Sequence, residues 1–206
     1  MKKMNPKDIL IPTLALFLIC LIATVLLALT NRATAEKIAD NDVQNAIVSR
    51  KDVLPEVDGV KVETYTDDAV EPETGLTYNE GKDTDGNTVG YIFTNSAKGY
   101  GGDVKIMVGY DLNGTIVGFK VLSASDETPG LGQNSTKEDF WQRFTGKCGE
   151  LKVNKYSNDG QNLQAITSAT ITSTAVVTAV NEANQAFTAL TGVQLPDALT
   201  GGDSNG

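Results

Sequence analysis

The chain begins with a long apolar run and then changes period. From Ile9 to Asn31 no residue is charged, a stretch of 23 positions. As a helix rising ~1.5 Å per residue it would extend roughly 34 Å, enough to span a bilayer. Residues 33–52 are rich in Ala, Glu, Lys, Gln and Asp with sparse apolar points at Ile38, Ala46 and Ile47, which predicts a helical stalk ended by Pro55. Alternation of period two then takes over. Val60, Val62 and Thr64 share one face of an expected strand over 59–66, and Val89–Thr94, with Tyr91 and Phe93, forms a second apolar run. Runs over 104–110 and 115–122 flank Asp111-Leu112-Asn113-Gly114, and Asn-Gly between two such runs predicts a β-hairpin. Ser135 and Glu138 have capping-box spacing, so a helix over 136–144 is expected, with Phe140, Trp141 and Phe144 in the core. Leu151 and Val153 mark a short strand. From Ser173 onward Val176, Val180, Ala183, Phe187 and Leu190 recur at spacings of four, three, four and three, one face of an amphipathic helix, and residues 195–206 read as a loose tail. The expected fold class is α+β: an antiparallel sheet with packed helices, preceded by one N-terminal transmembrane helix.

Charge gives the apolar segment a direction. Lys2, Lys3 and Lys7 against Asp8 make its N-terminal flank basic, whereas Arg32 and Lys37 on the other flank are diluted by Glu36, Asp40 and Asp42. The positive-inside rule then predicts a cytoplasmic N-terminus and an extracytoplasmic domain. A cleaved signal peptide is the competing reading, but its apolar region is only ~7 to 15 residues long. The expected boundaries are residues 1–8 cytoplasmic, 9–31 transmembrane, 32–55 stalk, 56–192 globular domain and 193–206 tail. After Arg32 there remain 13 basic and 25 acidic residues, a net charge of −12, which repels nucleic acid and anionic lipid.

Composition also restricts the chemistry. There is no histidine, which removes the usual general base, the usual haem ligand and most zinc sites. The two cysteines, Cys20 and Cys148, are too few for a disulfide framework or a four-cysteine cluster, and Cys20 lies in the apolar run. Asp83, Asp85, Gly86 and Asn87 have calcium-loop residue types with the glycine at the wrong position, so they predict a hairpin turn. Chemistry must therefore come mainly from a cofactor.

Two short segments could hold one, and a third glycine-rich one is set aside. Lys98-Gly99-Tyr100-Gly101-Gly102 precedes a strand and lacks the Gly-Lys-(Ser/Thr) ending of a phosphate loop, so its glycines are expected to permit a tight turn into the sheet. In Ser125-Asp126-Glu127-Thr128-Pro129-Gly130-Leu131-Gly132, Pro-Gly fits the centre of a type II turn and Gly132 leaves another position without a side chain. Gln164-Ala165-Ile166-Thr167-Ser168-Ala169-Thr170-Ile171-Thr172-Ser173 places hydroxyls just ahead of the amphipathic helix. Ser and Thr cap ordinary helices. An anion at such a terminus is also stabilised by unpaired backbone N–H groups and the helix dipole, without any basic side chain.

The last segment resembles the flavinylation motif Asp-x-x-(Ser/Thr)-Gly-Ala-(Thr/Ser), whose final hydroxyl is esterified to the phosphate of FMN by a flavin transferase. Thr167, Ala169 and Thr170 match; Gln164 stands in place of Asp and Ser168 in place of Gly. Together with Gly-Tyr-Gly-Gly and Glu-Thr-Pro-Gly-Leu-Gly in the same order, the stretch from about Ile38 to Leu190 resembles the FMN-binding domain family, as in the G subunit of Rnf complexes and the C subunit of Nqr complexes. The resemblance implies an electron-carrying redox subunit of an ion-translocating ferredoxin:NAD oxidoreductase, without independent activity and with FMN held covalently on Thr170. It further implies that Glu127 and Thr128 make polar contacts to the flavin, that Gly130, Leu131 and Gly132 let the ring approach backbone, and that Thr167, Ser168, Ala169 and Thr172 surround the attachment point. Implied partners are membrane and peripheral subunits bearing flavin or iron-sulfur centres, and the flavin transferase. The C-type component of a sodium-translocating NADH:quinone oxidoreductase is the alternative within the family. A cofactor-free, membrane-tethered binding or sensing module is the alternative from another class.

Overall fold

The computed structural model describes residues 6–196, and divides the chain into two units, Met1–Asn45 and Ala46–Gly206. Helix α1 runs Pro6–Val53. Its segment Leu10–Ala35, 26 residues with a mean hydropathy of 2.8, is long and apolar enough to cross a membrane. Pro12 lies within the helix, close to its start, where the missing N–H and fixed φ cost little.

The globular unit is built on an antiparallel sheet. Strands β1 (Glu56–Val57) and β2 (Val60–Lys61) form a small hairpin. The main sheet runs in the order β3 (Thr64–Tyr65), β5 (Thr77–Lys82), β6 (Thr88–Lys98), β7 (Asp103–Asp111) and β8 (Ile116–Ser123), with β4 (Ala69–Val70) also pairing β5. Then come a 3₁₀ turn (Gly132–Thr136), α2 (Glu138–Trp141), the parallel pair β9 (Lys152–Asn154) and β10 (Asn162–Gln164), and α3 (Thr170–Thr191).

Period-two alternation gives the sheet two apolar faces. On one, Phe93, Ile106, Val108 and Tyr110 pack with Val176, Val180, Ala183 and Phe187 of α3. On the other, Ile92 and Met107 pack with Val53 and Leu54 from the end of α1 and with Val57 and Val62. That second contact is close. Gly109 and Gly118 face each other across β7 and β8, and a Cβ on them would lie 2.7 and 2.1 Å from the Val53 carbonyl oxygen. Amides fix α3 along its length: Tyr110 Oη donates to Asn184 Oδ1 at 2.6 Å, and Asn181 exchanges bonds with both backbone groups of Leu151. Gly192 in the left-handed conformation (φ 74°) ends the helix, its N–H bonding Thr188 O.

Several expectations hold and several are corrected. The 104–110/115–122 hairpin is present, and Asp83 closes the turn before β6 by accepting the N–H groups of Asp85 and Asn87. The expected strand over 59–66 is broken into β2 and β3, with Val62 buried against Leu54 and the β5 glycine Gly81 while Val60 stays exposed. No helix spans 136–144. The capping box does not form: Ser135 is buried in the preceding 3₁₀ turn with its hydroxyl unbonded, and Lys137 occupies the cap position of a four-residue helix. Burying Phe140 and Phe144 against Phe119, whose ring stacks on Phe144 at 4.0 Å, outweighs the local signal. Of the expected tail, Leu195 packs on the core and Pro196 O accepts Glu150 N–H at 3.0 Å; residues 197–206 lie outside the described residues.

Gly118→Ala is expected to push the α1 end off the sheet and cost about 1–3 kcal/mol. The check is a lower urea midpoint at unchanged m, followed by Trp141 fluorescence.

Candidate functional site

The turn after β8 has the geometry that Pro-Gly imposes. Leu131 N–H bonds Thr128 O at 3.1 Å and Gly130 takes φ 78°, as a type II turn requires at its third residue. Glu127, just before it, is buried. Its Oε1 accepts Gly101 N–H at 3.0 Å and its Oε2 accepts the Thr172 hydroxyl. Burial pushes the carboxyl up, but the bonds from Thr172 and from the backbone at Gly101, Tyr100 and Gly102 outweigh it and hold its pKa below the ordinary glutamate value. Gly132 serves this contact rather than an open surface. A Cβ there would lie 2.2 Å from Glu127 Oε2 and 2.7 Å from Thr172 Oγ1.

The hydroxyl run ahead of α3 separates into different tasks. Ser173, fully buried, accepts Ile166 N–H and donates to Ala169 O, closing the turn that leads into the helix. Thr172 points inward to Glu127. The N-cap residue is Ala169, with no side-chain cap bond, so the first-turn N–H groups are not satisfied in the way ordinary N-cap hydroxyls satisfy them. Thr170, the first residue of α3, is exposed. Ser168 adopts φ 62°, a left-handed conformation in which glycine is unstrained.

These segments enclose a cavity of about 560 Å³ lined by Glu127, Thr128, Leu131 and Gly132 from the turn and by Ser168, Ala169, Thr170 and Thr172 from the hydroxyl run. Tyr100, inside the Gly-Tyr-Gly-Gly motif, and Ile171, inside the hydroxyl run, complete the lining, although neither is expected as a site residue from the sequence. Gly130 and Thr167 line an adjoining cavity of about 490 Å³ instead, together with Lys137 and Arg143. Trp141 lies elsewhere, in a smaller cavity with Asp52 and Lys120, its indole N–H bonding Ser135 O. Among the described residues no His/Cys/Asp/Glu group is arranged to hold a metal.

The volume lies within the ~300–1,000 Å³ of small-molecule sites. Apolar Tyr100, Leu131 and Ile171 suit a flat aromatic ring, while the uncapped terminus of a 22-residue helix, carrying an exposed hydroxyl at its first position, suits a phosphate. The fold and the site thus have the features of a flavin-nucleotide-binding domain preceded by a helix of membrane-spanning length. Residues 99–185 match the FMN-binding domain family, and residues 1–47 match the RnfG N-terminal region. The chain is 37% identical over 188 residues to the G subunit of the Na(+)-translocating ferredoxin:NAD(+) oxidoreductase complex of Acetobacterium woodii, covering 84% of this chain and 89% of that one. It is 31% identical over 198 residues to the G subunit of the proton-translocating ferredoxin:NAD(+) oxidoreductase complex of Clostridium ljungdahlii, covering 93% and 98%. This chain belongs to the family of G subunits of Rnf-type ion-translocating oxidoreductase complexes. Among solved structures it is similar to NqrC of Shewanella oneidensis, with 18% identity, 62% of this chain and 70% of that one covered, and a TM-score of 0.47.

Ser168→Gly relieves a left-handed residue, worth about 1–2 kcal/mol, and gives back about 0.5–1 kcal/mol in unfolded-state entropy. A net gain of about 0.5–1 kcal/mol in urea unfolding is the expected outcome; a loss would mean the conformation is not strained.

Proposed function

We propose that this chain carries electrons through FMN esterified to Thr170, as the G-type subunit of a membrane-bound ferredoxin:NAD oxidoreductase that moves ions. The observation that carries this reading is the position of Thr170: first residue of α3, exposed, and lining the same cavity as Glu127, Thr128, Leu131 and Gly132 of the turn. Bound there, FMN would supply one- and two-electron chemistry, and the protein would supply orientation and electrostatics. Thr170 Oγ would hold the phosphate at the helix terminus, where the dipole and free N–H groups offset its charge. Thr128, Leu131, Ala169 and Ile171 would bound the ring and shield it from water. Covalent attachment keeps the cofactor from diffusing away on the outer side of the membrane.

In this reading residues 1–8 are cytoplasmic, 9–31 cross the membrane, 32–55 form the stalk, 56–192 form the extracytoplasmic FMN-binding domain and 193–206 the tail. Among the described residues one helix is long and apolar enough to cross a membrane, and a carrier with a single span has no electron source of its own and no partner helix with which to form an ion path. It therefore works with polytopic and peripheral subunits bearing flavin or iron-sulfur centres, and is matured by a flavin transferase. The match of residues 1–47 to the RnfG N-terminal region favours a G-type over an Nqr C-type subunit.

Thr170→Ala, expressed with the flavin transferase, should abolish covalent flavin as read by intact mass and peptide mapping. Because Ala169 rather than Thr170 is the cap, the change should alter stability by no more than about 0.5 kcal/mol. An adduct persisting on the variant, or mapping to Thr167, Ser168 or Thr172 in the unaltered chain, would sink the assignment. For topology, protease added to sealed right-side-out vesicles should digest the domain after Arg32; digestion confined to inverted vesicles would reverse the orientation.

A further inference from the structure

The loop between β6 and β7 contains one side chain among three glycines. At Gly99 a Cβ would lie 2.2 Å from Glu127 Oε1, at Gly101 it would lie 1.9 Å from the carbonyl oxygen of Asp126, and at Gly102 it would lie 2.6 Å from Asp126 Cβ. The loop is therefore pressed flat against residues 126–127. Gly101 N–H bonds Glu127 Oε1 at 3.0 Å and ties it there, and Gly99 N–H to Gly102 O at 2.8 Å closes the loop on itself. Tyr100 is the only residue of the four that can project, and it projects to the cavity wall while remaining 70% exposed. Leu131 and Ile171, at 39% and 57% exposure, line the same cavity. An aromatic ring held so firmly at the loop and so incompletely covered lacks a partner for one of its faces. A flat aromatic ligand would supply it.

We propose that Tyr100 is the stacking wall for the isoalloxazine ring of the flavin, with Glu127 the positioning residue that sets its loop. This rests on the reading that the cavity takes FMN from Thr170. The Glu127 carboxylate reaches both the loop, through Gly101, and the first turn of α3, through Thr172. It thereby fixes the distance between the stacking ring and the attachment hydroxyl. Leu131 and Ile171 would bound the flavin at its edges, and the apolar area exposed in the bare domain would be covered when the cofactor is present.

A phenol ring in contact with a flavin shortens the flavin's excited-state lifetime, which gives a readout independent of turnover. The full chain and its Tyr100→Leu and Tyr100→Trp variants are expressed with the flavin transferase. Intact mass reports loading, and time-resolved flavin fluorescence of the folded and the denatured protein reports contact. All three proteins should carry one flavin each, since an exposed side chain is being exchanged. The Leu variant should emit several-fold more strongly than the parent when folded and equally when denatured, and the Trp variant should remain quenched. Equal lifetimes in the folded parent and Leu variant overturn the proposal. If no protein carries covalent flavin, the attachment reading fails, and the same proteins titrated with free FMN decide the stacking by themselves. Quenching on binding by the parent and the Trp variant but not the Leu variant supports it; equal quenching, or none, by parent and Leu variant overturns it.

Discussion

A carboxylate taken out of water must have its lone pairs filled or it will not stay charged. Glu127 is such a group, at 2% exposure. Its partners come from two distant parts of the chain, Gly101 in the loop into β7 and Thr172 in the first turn of α3. One side chain thus ties together the glycine loop, the Pro-Gly turn and the terminus of α3, which form the walls of the main cavity. Gly99, Gly101, Gly102 and Gly132 follow from it, because a methyl group at any of them would collide with residues 126–127. Removing the carboxylate would leave a buried N–H and a buried hydroxyl without acceptors and would free three segments to move independently.

The scaffold behind the site is rigid for a related reason. Helix α3 presents a small-residue face, with Ala175, Ala179, Ala183 and Ala186 buried beside larger Val176, Val180 and Phe187. It lies close to β6 and β7, and the amides of Asn181 and Asn184 prevent it from sliding. A terminus anchored in this way can hold a hydroxyl in a fixed place without any capping side chain, and that is how Thr170 is presented. The domain's acidity does not conflict with a phosphate there, since backbone dipoles rather than lysines would meet the anion. Buried Lys147 is used for a different purpose. Its ammonium donates to the carbonyls of Asn158, Gly160 and Asn162, and so holds the loop that leads into the hydroxyl run ahead of α3.

Where the chain has one dominant period, the sequence alone was enough. The membrane-length helix, the β7–β8 hairpin and the amphipathic face of α3 are visible because burial on one side forces a repeat of 3.6 or 2 onto the residues. The Pro-Gly turn was visible because its φ constraints belong to single residue types. Strand β5 was not visible. Its sequence Thr-Tyr-Asn-Glu-Gly-Lys has no apolar alternation, and the amide of its buried Asn79 donates to Thr66 O and Asp68, which the fold brings to it. The capping box at Ser135 and Glu138 was a sound local signal overruled by aromatic packing between Phe119 and Phe144. Nor could the sequence assign tasks within Thr167–Ser173, where every hydroxyl is equally competent. Only the tertiary structure sends Thr172 to Glu127 and Ser173 into the turn, leaves Thr170 on the cavity, and brings Tyr100 to the lining of that cavity. These choices depend on contacts between segments far apart in sequence, such as Glu127 and Thr172 at a separation of 45 residues, and no local pattern records them.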